Sequence, residues 1–126
     1  MLRLSTAIAT ALFMPCALAQ DPVQTDGDKY KPILENACVR VLDYSDQPGQ
    51  KTQEHTHPAY VLYVLSPFER ELTLPGGKVL RRQFSTGEVA FFDGQTHTGE
   101  NVGQTPTHVL IVELKQLPQG EQKCAE

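Results

Sequence analysis

No apolar stretch in this chain reaches the roughly 20 residues needed to cross a hydrocarbon core. The longest, Leu4 to Met14, runs about a dozen. It follows Arg3 and precedes Ala17-Leu18-Ala19, the sequence of charge, apolar run and small-residue site that marks a secretory signal peptide. Cleavage after Ala19 is expected, giving a periplasmic or secreted product with no membrane anchor. Pro15 stands where a small residue would have to precede a lipidated Cys16, which argues against a lipoprotein. Concentrated positive charge is also missing: the basic residues are scattered, and the only adjacent pair is Arg81-Arg82. Nothing here points to nucleic acid. With residues 1–19 removed, 10 basic against 15 acidic residues shift the net charge from −4 to about −5.

About 107 residues then remain, enough for one compact core and too few for two ordinary domains. Internal repeats, heptads and sustained helical periods are absent. Residues 20–34 are polar and broken by Pro22, Gly27 and Pro32, so they read as a mobile leader. From Cys38 onward, short apolar runs alternate with turn residues. Pro75-Gly76-Gly77 between two such runs is a hairpin signal, and Thr107 to Leu114 is the last and most apolar run. Short strands with turns at close intervals indicate an all-β sandwich or barrel over residues 35–116, with 117–126 as a C-terminal tail. Export to an oxidising compartment makes Cys38 and Cys124 candidates for a disulfide, two separate thiols being the alternative.

Histidine is scarce, four in the chain, yet two of them form His55-Thr56-His57 at the start of a strand-like run. Residues two apart on a strand share a face, so both imidazoles project into one space and can converge on one ion. A solvated pair that binds nothing fits those two residues equally well. Gly49 stands six residues before His55, and a second segment runs from Gly87 through Asp93-Gly94, His97 and Asn101. These two segments resemble the two motifs of the cupin superfamily: Gly, five residues, His-x-His and a later Glu, then Gly, five residues, Pro-x-Gly, two residues, His, three residues, Asn. Gly49, His55 and His57 match the first motif. Gly87, Gly94, His97 and Asn101 match the second with one residue deleted and Asp93 in place of Pro.

The resemblance covers about Cys38 to Lys115 and implies a single-domain double-stranded β-helix, a jelly-roll barrel. It also implies a divalent metal ion (Fe, Mn, Ni or Zn) on His55, His57 and His97, and the homodimer usual in the family. The motif's carboxylate is missing, because Val61 and Leu62 occupy its place. Val61, by strand parity with the histidines, is expected to face the site. Three neutral imidazoles leave a bound dication with more net charge and open positions, which favours a small anionic ligand. That ligand set is similar to the three-histidine thiol and diketone dioxygenases. Tyr63, inward by the same parity, is the candidate catalytic hydroxyl; Tyr60 should face the other way. His108 and Glu113 read as structural or solvent-exposed. In finer texture, Glu35 to Leu42, His57-Pro58 and Gly99 to Gly103 look like small bacterial cupins linked to β-alanine breakdown, a link that carries no substrate. An enzyme of dioxygenase type and a non-catalytic ligand- or metal-binding cupin both remain open.

Overall fold

The computed structural model describes residues 20–117, 119–120 and 124. The expected signal peptide, residues 1–19, lies outside the described residues, as does most of the expected tail. One helical turn, α1 (Pro22–Thr25), precedes nine strands: β1 (Tyr30–Glu35), β2 (Val39–Asp46), β3 (His55–His57), β4 (Tyr60–Ser66), β5 (Phe68–Thr73), β6 (Val79–Phe84), β7 (Val89–Phe92), β8 (Gln95–Asn101) and β9 (Thr107–Leu114). They form a five-stranded sheet, β1-β2-β9-β4-β7, and a four-stranded sheet, β3-β8-β5-β6, with every paired strand antiparallel. No helix among the described residues is long and apolar enough to cross a membrane.

Alternation decides what each strand buries. Along β9, Thr107, Val109, Ile111 and Glu113 point inward; along β4, Tyr60, Leu62 and Val64 do so. Leu42 and Tyr44 from β2 and the stacked rings of Phe68 and Phe84 from β5 and β6 complete a core between the two sheets. Burying a side chain of this size stabilises the fold by roughly 1.5–3 kcal/mol. The hairpin expected at Pro75-Gly76-Gly77 joins β5 and β6.

Residues 20–34 depart from expectation, since they are an ordered part of the barrel rather than a mobile leader. Asp21 caps α1 through Val23 N–H at 2.8 Å and pairs with Arg40 at 2.7 Å. Asp26 accepts from the backbone of Gln53, and β1 adds an edge strand to β2, where Pro32 is tolerated. Tyr30 is 3% exposed and anchors the segment between the sheets. Polarity misled here because an edge strand packs few of its residues inward: in β1 only Tyr30 is buried. Cys38 and Cys124 are joined as a disulfide, with Cα atoms 5.2 Å apart, tying the tail to the start of β2.

Candidate metal centre

His55 and His57 lie on β3 and His97 on its neighbour β8, with His55 directly opposite His97 in the register. Gly94 allows that approach, because a Cβ there would come within 3.2 Å of the His57 carbonyl oxygen. All three imidazoles are buried, at 0%, 2% and 4% exposed, and one nitrogen from each falls within 4.8 Å of the others. His108 is elsewhere, half-exposed and 3.0 Å from Asp43.

Hydrogen bonding fixes the rings. His55 Nδ1 lies 2.8 Å from the Gln53 carbonyl oxygen, which can only accept, so that nitrogen carries the proton. His57 Nδ1 lies 2.6 Å from the Glu113 carboxylate and donates to it. The Nε2 atoms of the two rings face each other at 3.1 Å. A cation shared by the two nitrogens would make that contact favourable. His97 Nδ1 is buried without any partner. Burial lowers the His55 pKa to about 4, the Gln53 carbonyl opposing and the neighbouring His57 adding to the effect. Burial, with His55 and His57 nearby, lowers that of His97 to about 3. Three buried imidazole nitrogens this close together, with His97 Nδ1 lacking a partner, form a donor set that could hold a divalent metal ion.

Glu113 overturns its expected exposure: it is 2% exposed and bridges His57 and the Arg40 Nε at 2.6 Å. Burial pushes its carboxyl pKa up, but the His57 and Arg40 hydrogen bonds outweigh this and hold it low. A carboxylate gripping the far nitrogen of a ligating histidine fixes its tautomer and raises its basicity. The period-2 pattern of β9 would have placed Glu113 inward with Val109 and Ile111; its position near a strand end obscured this.

The two tyrosines exchange places relative to expectation. Tyr63 is 43% exposed on the outer face, opposite Val89 and Leu110, and Val61 lies on that same face opposite Phe91 and Val112. Tyr60 is buried, its ring 5.1 Å from that of His57. Parity does not carry from β3 to β4 because Pro58-Ala59 interrupts the strand and β4 continues in the other sheet. The inward residue where the motif expects its carboxylate is therefore Leu62. Tyr30 supplies a hydroxyl that sequence reasoning missed, donating to His55 Nε2 at 3.1 Å.

His57 and His97 open onto a cavity of about 410 Å³ between the sheets, whose walls include Tyr60, Leu62, Phe92 and Ile111. The pair of antiparallel sheets superposes on solved structures. A cupin domain from Bordetella pertussis superposes with a TM-score of 0.63 at 24% identity, over 69% of this chain and 92% of that one. The fold is the cupin barrel. A Klebsiella pneumoniae protein with a double-stranded β-helix domain aligns at 27% identity and TM-score 0.52, covering 78% and 85% of the two chains. The Cupin_2 domain of an XRE family transcriptional regulator from Enterobacter cloacae aligns at 18% identity and TM-score 0.53, covering 71% and 96%. No family model and no curated protein matches the chain. The likeness shows the fold; the three-histidine cluster is read from this chain alone.

Proposed function

We propose that this cupin is an exported, metal-dependent enzyme of dioxygenase type, acting inside the barrel on a small anionic or carbonyl-bearing substrate. The observation that carries the reading is the convergence of His55 and His57 Nε2 at 3.1 Å in a buried cluster with His97, whose Nδ1 has no partner. A bound divalent ion would supply Lewis acidity and, as iron(II), access to dioxygen chemistry. The protein's residues do the rest. Glu113 and the Gln53 carbonyl orient two of the rings. Apolar walls from Leu62, Phe92 and Ile111 exclude water. The Tyr30 hydroxyl, at His55 Nε2, holds a proton at the edge of the reacting space, the place expected of Tyr63. Burial raises the pKa of Tyr30 far above the ordinary phenol range, so it acts as a donor and not as a base.

The absence of any carboxylate from the cavity lining, among the described residues, favours a second reading: capture of an anion without turnover, since no general base faces the ligand. Metal analysis of protein purified from its native compartment separates the two. Iron at one per chain supports oxygen chemistry, whereas stoichiometric zinc or no metal supports binding alone. Export is supported by the residue pattern at 1–19 and is tested by the N-terminus of the purified protein. A homodimer is supported by an apolar row crossing the five-stranded sheet, Leu34, Val41, Val112, Val61 and Phe91, and sedimentation velocity tests it. The resemblance to cupins linked to β-alanine breakdown adds no substrate.

A further inference from the structure

Arg70 is a buried cation that the metal centre does not use. It leaves the inner face of β5, and its guanidinium lies over the Tyr44 ring, 4.8 Å from the centroid. On the other side it rests against Gly99, where a Cβ would come within 2.6 Å of Nη2, so only glycine leaves room for it. Nη1 donates to Asp46 at 2.6 Å and Nη2 to the Tyr44 hydroxyl at 2.8 Å. Of the five N–H groups a guanidinium carries, the other three meet no acceptor among the described residues. Asp46 in turn is held by Tyr44 and Asn101, so the arginine is braced by this network, and it lines the cavity.

The surroundings repeat the sign. Arg82 stands directly opposite Arg70 in the β5–β6 register and also lines the cavity. Arg82 pairs with Glu88 and lies over the Phe84 ring, which holds its guanidinium against the cavity wall. Arg81, paired with Glu69, borders the same cavity, and no Asp or Glu lines it among the described residues, although the chain as a whole carries a net charge of −4. The remaining wall is apolar, with Leu72, Leu80, Phe84 and Val109 among its members.

We propose that Arg70, assisted by Arg82, is the anchor for the carboxylate of an amphipathic organic acid whose apolar body fills this cavity and whose far end reaches the histidines. The assignment deepens the reading of the barrel interior as a metal-and-substrate site, and it places the substrate's negative charge on the guanidinium instead of on the metal.

Calorimetric titration of the metal-stripped protein with hexanoate, hexan-1-ol and hexylammonium tests it, with a repeat on protein loaded with zinc(II). Hexanoate should bind the metal-stripped protein at least tenfold more tightly than either uncharged or cationic analogue. Arg82→Gln, at an exposed position that tolerates change, should weaken hexanoate about threefold, and Arg70→Met at least tenfold without affecting hexan-1-ol. Equal binding of acid and alcohol to the wild type would overturn the proposal even if Arg70→Met fails to fold. So would hexanoate binding that appears only with zinc, because the carboxylate would then sit on the metal. Loss of zinc binding with hexanoate binding intact would instead remove the metal-enzyme reading and leave the anchor standing.

Discussion

His57 shows how much of the site depends on one residue outside the ligand set. Its ring is held by Glu113, which is itself neutralised by Arg40, and Arg40 reaches Asp21 just before α1. Glu113→Gln keeps the size and one acceptor oxygen but removes the charge, so zinc affinity should fall roughly 10- to 100-fold, read by competition with a chelating dye. Replacing His55, His57 or His97 by Ala should abolish stoichiometric binding, since two imidazoles remain where three protein ligands are the rule. His108→Ala should leave it unchanged. Val61→Glu, on the outer face, should also leave affinity within about twofold, an effect worth under roughly 0.5 kcal/mol. A tighter site in that variant would mean the strand parity is wrong. Acid acts on the same residues. Unfolded histidine protonates near 6.5, while folded His55 and His97 stay neutral down to about 4 and about 3. Their contribution to stability is therefore fully present above pH 6.5 and is lost as the pH falls through that window, each at up to about 1.4 kcal/mol per pH unit. Urea midpoints of chelator-treated protein at several pH values between 7.5 and 4 check this; a flat profile would mean the rings are already charged.

Among the elements, β1 and the helical turn before it are the least expected and the most informative. They bring Tyr30 to His55, Asp21 to Arg40 and Asp26 to the Gln53 backbone, so the segment forms one wall of the metal centre. Deleting residues 20–34 should expose the histidine end of the barrel and cost both cooperative unfolding and zinc binding, as followed by circular dichroism and calorimetry. Retention of both would return the segment to the status of a leader. The disulfide acts at the opposite margin. Cys38 opens β2, and Lys115 N–H donates to the Cys38 carbonyl at 2.7 Å, so the bridge continues a contact that β9 already makes. Closing a loop of 86 residues is worth up to roughly 4 kcal/mol. Much of that loop is already closed by β2–β9 pairing in the native state, so reduction should lower the urea midpoint without unfolding the barrel.

For the whole molecule, metal binding and folding are linked through mass action. An ion that binds the assembled histidines and not the unfolded chain stabilises the protein by about 2.7 kcal/mol at a hundredfold excess over its dissociation constant. Zinc should raise the melting temperature by several degrees, a chelator should reverse it, and His97→Ala should abolish the response. An equal rise in that variant would place the metal elsewhere. The cavity connects this to function: the two sheets enclose about 410 Å³, with His57, His97 and Arg70 bordering the same space.

Strand periodicity and turn residues were enough to indicate an all-β sandwich or barrel, and parity to put His55 and His57 on one face, while the resemblance of the Gly49 to His57 and Gly87 to Asn101 segments to the cupin motifs implied the barrel and added His97. The reach of that rule ends where a strand ends. Tyr60 and Tyr63 changed roles because Pro58-Ala59 breaks the parity, and Glu113, Arg70 and Tyr30 joined the site from β9, β5 and β1, far from the motifs in sequence. Only the packing of two sheets decides which carboxylate meets which imidazole, since a buried charge is settled by partners that lie across the barrel and not along the chain.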